Sequence, residues 1–262
     1  MSEDQIPELM ELKNRAGWNQ IEADWSRFIN LNPRGCFIAR INREIIGCVT
    51  SSIYNDNLAW IGMMLVDEKY RRQGIGKALM QMVIHKLDEQ GMKTIKLDAT
   101  PMGKYLYELL GFKEETTLGR YFMQNKGNKP KYSASVSPKN SIRKASRSEI
   151  KDIISIDEQL LSISRRRILN AFLADNIENT YIARSKDGKI EGYLTGRNGK
   201  NFFQIGPLVG SGVETAKRLL IRALCLHVDK HERIDIYGEH VLFVDIKKKS
   251  GVFLYFRSFY AH

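Results

Sequence analysis

A strand-like run that empties into a basic, glycine-punctuated turn and then a long amphipathic helix constrains this chain most. The segment reads Leu65-Val-Asp-Glu-Lys-Tyr-Arg-Arg-Gln-Gly-Ile-Gly-Lys-Ala-Leu79. Gly74 and Gly76 open a predicted helix over 74–90, whose apolar face carries Ile75, Leu79, Met82, Val83 and Leu87. Glycines let the backbone approach an anion, and the first helical turn offers N–H groups with no partner inside the helix. Arg71, Arg72 and Lys77 add positive charge around Gln73, so a diphosphate is the natural guest of this turn.

The flanking pattern decides which fold holds the turn. Upstream, 5–15 and 19–30 have helical spacing, and 36–41, 44–53 and 58–66 are strand-like, with Asn42-Arg43 as a hairpin turn. Downstream come a short strand over 93–98, a helix over 101–110 opened by Pro101, and a strand over 112–123. A dinucleotide-binding fold would put its glycine loop after the first strand of an alternating βαβ unit. Here the loop follows a meander. The order predicts a mixed α/β (α+β) architecture, a mostly antiparallel sheet flanked by helices. The second half repeats it: helices over 149–161 and 164–174, strands over 179–185, 189–197 and 202–209, and a helix over 213–230. That is an internal duplication of architecture.

Charge marks the border between the halves. The 262 residues carry a net charge of +11, and 262 residues suffice for two modest cores. Residues 1–124 hold 16 basic and 16 acidic side chains, whereas 125–148 hold seven basic ones and no acid. The run 125–141, NKGNKPKYSASVSPKNS, has the composition of a solvated connector. The expected layout is therefore a domain over 1–124, a basic linker over 125–141 and a second domain over 142–262. That linker raises nucleic acid as a partner, but Tyr132 is its one stacking residue and no binding motif accompanies it. Cys36, Cys48 and Cys225 form no disulfide framework and no metal spacing, which places the protein in a reducing cytoplasm. Cys36 and Cys48, lying in strands, read as buried apolar residues. His227 and His231 stand four apart on a helix without a third ligand, so they read as an exposed face and no metal is expected. No apolar run approaches the ~18 residues of a membrane span, and Met1-Ser-Glu-Asp-Gln5 is acidic, unlike a secretory leader.

Arg71-Arg-Gln-Gly-Ile-Gly76 together with Tyr107-Glu-Leu-Leu-Gly-Phe112 resembles the GNAT superfamily of acetyl-coenzyme A-dependent N-acetyltransferases. Gly17-Trp-Asn-Gln-Ile-Glu-Ala-Asp-Trp25, Ala59-Trp-Ile-Gly-Met63 and Leu97-Asp-Ala-Thr-Pro101 resemble, more narrowly, bacterial tandem-GNAT proteins, with a second, divergent GNAT domain in the C-terminal half. The resemblance implies acetyl-coenzyme A as acyl donor and an amine, on a small molecule or a peptide, as acceptor. It implies that the 71–77 loop holds the pyrophosphate. It also implies that Met64, Leu65 and Val66 splay from the neighbouring strand, bond the pantetheine arm and polarise the thioester through backbone N–H groups. Tyr107, by spacing an aromatic beside Leu106 and Leu110, becomes by resemblance the phenol that protonates the departing thiolate. Asn19, Gln20, Asp24 and Asp98 face the acceptor side in this reading. Asp24, Asp98 and Glu22 are candidate bases, and equally ordinary solvated carboxylates or helix caps. Trp18 and Trp25 either line the acceptor pocket or pack a helix.

The C-terminal half departs from this pattern. Leu208-Val-Gly-Ser-Gly-Val-Glu-Thr215 has glycines but no arginine, and no Tyr-x-x-x-Gly-Phe follows. One acetyl-coenzyme A per chain is expected, in the first half, with the second half shaping the acceptor cleft. The aromatic run after Asp235 fits no element by pattern. Two other readings of the chain are a catalytically degenerate acyl-coenzyme A sensor and a nucleic-acid-associated protein.

Overall fold

In a computed structural model the described residues are 1–124, 142–227, 233–238 and 253–261, with side chains described for 1–117 and 142–227. The basic connector 125–141, residues 228–232 with His231 among them, the run 239–252 and His262 lie outside the described residues. The chain divides into two compact units, residues 1–117 with 256–262, and residues 118–255.

Unit 1 opens with helices α1 (Ile6–Arg15) and α2 (Glu22–Leu31). Strands β1 (Phe37–Ile41), β2 (Glu44–Ile53) and β3 (Leu58–Val66) form the expected antiparallel meander. Asn42 and Arg43 turn the first hairpin, both left-handed with φ of 51 and 91°, the geometry that follows the twist of paired strands. Then come α3 (Ile75–Glu89), β4 (Thr94–Ala99), α4 (Pro101–Leu109) and the start of β5 (Lys113–Gln124). β4 pairs parallel to β3, as a strand returning through a helical crossover must. Both faces of the sheet are covered, which is why β2 is buried almost without alternation. One face packs Val49, Ala59 and Ile61 against Leu79, Met80, Val83 and Leu87 of α3. The other packs Cys48, Met63 and Leu65 against Leu9, Leu12 and Trp25 of α1 and α2. Cys36 and Cys48 are buried as expected, and burial pushes the Cys36 thiol up to about 11 and that of Cys48 higher still.

Unit 2 runs through β6 (Ile142–Lys144), α5 (Ile150–Leu161), α6 (Arg166–Asn176), β7 (Tyr181–Arg184), β8 (Ile190–Asn198), β9 (Phe203–Gly210), α7 (Val213–His227) and β10 (Arg233–Gly238). Its ladder is antiparallel except for the parallel β9–β10 pair, repeating the pattern of unit 1. The mixed, mostly antiparallel sheet flanked by helices is the fold class read from the sequence. Two strands were harder to assign from sequence. Residues 119–124 of β5 pair with β10 in unit 2. The unplaceable aromatic run supplies β11 (Phe253–Ala261), whose residues 257–261 pair antiparallel with β4 and so satisfy that strand's edge in unit 1.

His227 departs from the sequence expectation. It is buried, with its ring stacked on Phe203 at 4.1 Å between centroids and edge-on to Tyr181. A flat imidazole beside two aromatic rings removes more apolar surface from water than the solvent-facing rotamer would. Unit 2 is also stapled by a charged cluster. Arg165 donates two hydrogen bonds to Asp157, 2.9 and 2.8 Å, and the Tyr193 hydroxyl donates a third at 2.5 Å. Asp157 and Tyr193 have no solvent exposure. Arg165→Ala strands that carboxylate without its cation, and urea unfolding should show unit 2 destabilised by about 3–5 kcal/mol. An unchanged midpoint would mean that the pair is dispensable.

Candidate active site

The end of β3 departs from regular strand geometry where the sequence places the acyl donor. Pairing with β4 runs from Leu58↔Thr94 to Ile61↔Leu97 and stops there. On the other edge, Thr50↔Gly62 is followed by Cys48↔Leu65, so Met63 and Met64 together oppose the single residue Val49. This is a β-bulge, and Met63 sits in it with a left-handed φ of 52°. A bulge leaves backbone groups out of the ladder and aims them elsewhere. Met64, Leu65 and Val66 therefore lie on a strand end that has left its parallel neighbour. Sequence does not single out Met63 for this bend, because methionine carries no signal for positive φ.

Beyond Val66 the chain makes a fixed turn before the loop. Asp67 is buried, accepts the Lys69 N–H at 3.0 Å and takes the Arg15 guanidinium at 2.6 Å. Burial alone would raise its pKa, but the Lys69 N–H and Arg15 together hold the carboxyl below the usual aspartate value. Arg15 and Asp67 were also missed, since their pairing joins positions 52 residues apart. Arg71 anchors the loop through Nε to the Val66 carbonyl at 3.3 Å. Arg72, Gln73, Gly74 and Lys77 are exposed, and Ile75 and Gly76 are half-buried.

Gly74 takes a left-handed φ of 82° immediately before α3, with open space where a side chain would stand. Gly76 is a glycine for another reason: a Cβ there would lie 3.2 Å from Met64 and 3.5 Å from Leu106, so the helix start packs directly on the strand end. No side chain caps α3, its first turn has no acid, and its first internal bond is Ala78 N–H to the Gly74 carbonyl. The preceding N–H groups and the positive end of the helix dipole therefore face the loop together with its cations. These residues fit a diphosphate.

Tyr107 lies on α4, whose start is capped by Thr100. It is 8% exposed, sits edge-on to Phe112, and burial raises its phenol to about 12. Asp98 is an exposed residue near the end of β4. Asn19 is buried, and the buried Gln20 Oε1 has no hydrogen-bond partner among the described residues. Asp24 accepts the Ile21 N–H and the Arg27 guanidinium, each at 3.0 Å, with both side chains almost fully buried. Those are the contacts of a helix cap. Trp25 is wholly inside the α1/α2 core and so packs a helix, while the half-buried Trp18 packs against the edge of the same cluster. Glu22 is exposed at the start of α2.

Unit 2 has the counterpart of the strand end without the loop. Ile205 is the last β9 residue paired to β10 and packs on the α7 side with Leu208, while Val209 packs on the other face. Ile61, Met64 and Leu65 stand in the same relation in unit 1. Ile205-Gly-Pro-Leu-Val209 thus matches Ile61-Gly-Met-Met-Leu65, and Pro207 falls where Met63 stands. Proline has no N–H to aim. Only Ser211 and Gly212 separate β9 from α7, against residues 67–74 in unit 1, and Glu214 is in the first turn of α7. These residues do not fit a diphosphate.

Comparison with known proteins agrees with this geometry. Residues 4–112 match the acetyltransferase (GNAT) family and residues 153–258 match an acetyltransferase (GNAT) domain. The uncharacterized N-acetyltransferase YitH of Bacillus subtilis is 25% identical over 92% of this chain and 82% of its own length. Among solved structures, a proposed acetyltransferase of Pyrococcus horikoshii superposes with a TM-score of 0.77 at 20% identity, covering 100% of this chain and 87% of that one. A tandem GNAT protein from the clavulanic acid biosynthesis pathway gives 0.66 at 11% identity, covering 99% and 95%. Among the described residues no helix is long and apolar enough to cross a membrane. With GNAT family domains matched over residues 4–112 and again over 153–258, the chain belongs to the GNAT acetyltransferases, as a tandem N-acetyltransferase.

Proposed function

We propose that unit 1 transfers acetyl from acetyl-coenzyme A to an amine by direct attack, and that unit 2 binds no coenzyme A. The observation that carries this reading is the uncapped, acid-free start of α3, set against the diverging, bulged end of β3. Bound acetyl-coenzyme A supplies the thioester: the amine nitrogen bonds its carbonyl carbon, the carbon–sulfur bond breaks, and the sulfur leaves as a thiol. The 71–77 loop meets the diphosphate with backbone N–H groups and with Arg71, Arg72 and Lys77. The backbone of Met64, Leu65 and Val66 aligns the pantetheine arm, and the bulge N–H groups stabilise negative charge developing on the carbonyl oxygen. Tyr107 donates its phenolic proton to the sulfur.

An alkylammonium, with a pKa of about 10.4, must lose a proton before it attacks. Asp98 and Glu22, both exposed, take that proton through water, while Asp24 is committed to capping α2. Asn19 and Gln20 lie on the acceptor side in this reading. Holding amine and thioester side by side supplies much of the rate. The test is thiol release from acetyl-coenzyme A with amino acids, polyamines, aminosugars and peptides as acceptors. Amine-dependent release is expected with one class. Coenzyme A binding without release across the whole panel would point to a sensor in place of an enzyme.

A further inference from the structure

We infer that Gly103 is a positioning residue for the Tyr107 phenol, an inference that rests on the proposed acid role of Tyr107. Gly103 lies one helical turn before Tyr107 on the same face of α4. A tyrosine in a helix lies back over the turn that precedes its own Cα. Here the ring lies so close that a Cβ at position 103 would stand 2.8 Å from Cε2, 3.3 Å from Cζ and 3.4 Å from the phenolic oxygen. Those are its three nearest atoms, and all belong to Tyr107.

The ring has little room to yield. It is 8% exposed, meets Phe112 edge-on at 6.2 Å, and belongs to the core that contains Leu97 and Ala99. A side chain at 103 and the phenol in its present place therefore exclude one another. The backbone gives no other reason for glycine, because Gly103 is not among the glycines with positive φ. Helix propensity argues against it, since glycine inside a helix is less favourable than alanine. The Thr100 cap, which accepts the Gly103 N–H, and Pro101 at the first helical position keep the helix formed despite that glycine. Position 103 thus gives up helix preference for the clearance that seats the phenol.

The test is a double-mutant cycle with one measurement independent of catalysis. Gly103→Ala is expected to lower kcat about tenfold or more, with KM for acetyl-coenzyme A changed less than about threefold. In the Tyr107→Phe background the same substitution is expected to change kcat by less than about twofold, because residues that act as a unit are not additive. An equal drop in both backgrounds, or an unchanged kcat in Gly103→Ala alone, overturns the inference. The independent readout is the 13Cζ NMR resonance of Tyr107, assigned by its loss in Tyr107→Phe. It should not titrate below about pH 11 in the parent protein and should titrate nearer the ordinary tyrosine value, about 10, in Gly103→Ala. A titration unmoved by Gly103→Ala overturns the positioning role whatever the kinetics. An unchanged kcat in Tyr107→Phe itself sinks the acid role instead, and the resonance still decides whether Gly103 seats the ring.

Discussion

Gly74→Glu yields a folded protein that no longer binds coenzyme A, and Arg71→Glu does the same. Gly74 is exposed, and a Cβ there would meet no atom within 4 Å, so the new side chain meets no steric barrier. It does inherit a φ of 82°, which costs a non-glycine residue about 1–2 kcal/mol. A carboxylate at a helix start offsets part of that, by about 0.3–1 kcal/mol, so the fold survives. The ligand fares worse. A carboxylate about 4 Å from a diphosphate charge opposes it by up to ~4 kcal/mol near a protein surface, and it occupies the same N–H groups. Together these effects reduce affinity by more than about a thousandfold. Arg71→Glu reverses a charge and also removes the anchor to the Val66 carbonyl. Titration calorimetry reads the loss, and circular dichroism confirms the fold. Affinity within about tenfold of the parent would show that the 71–77 loop does not hold the diphosphate.

Tyr107→Phe should lower kcat by about 10²-fold or more and leave coenzyme A affinity unchanged. The ring keeps its place against Phe112, so packing is conserved and only the proton donor is lost. The pH profile adds a sharper test. Burial raises the phenol to about 12, so Tyr107 remains a proton donor throughout the assay range. The alkaline side of the parent profile should therefore hold its plateau to about pH 10, and the acid limb should reflect deprotonation of the acceptor amine and its base. The sign for stability follows the same shift. A neutral phenol favoured by burial contributes fully below the unfolded value near 10, and that contribution is lost as pH rises towards about 12. An alkaline limb centred near the ordinary phenol value of about 10 and absent in Tyr107→Phe would show an exposed phenol.

The parts legible in the sequence were those encoded by neighbours in the chain. The 71–77 loop, the Asn42-Arg43 turn, the α3 stripe and the Thr100-Pro101 helix start all lie within a few residues of their signals. Whatever depended on distant partners stayed hidden. Trp25 looked able to line a pocket, and only Cys48 and Leu65 on the sheet reveal it as core. Asp24 looked able to act as a base until Arg27 and the Ile21 N–H occupied its oxygens. The bulge at Met63 is set by pairing with β2, because nothing local asks a methionine to adopt positive φ. The β11 run shows no alternation, since its place is fixed by the open edge of β4. The burial of His227 has the same origin, because Phe203, distant in sequence, supplies the stacking surface.

The asymmetry of the two units is the central claim, and the stoichiometry of coenzyme A on the full chain tests it most directly. Unit 1 has the long turn, the open helix start and a bulge residue with an N–H, whereas unit 2 has a two-residue turn, Glu214 and Pro207. Titration calorimetry should give one equivalent of coenzyme A per chain, and none after Gly74→Glu. Two equivalents of similar affinity, or one that survives Gly74→Glu, would place the ligand at Gly206–Val213 and contradict the account.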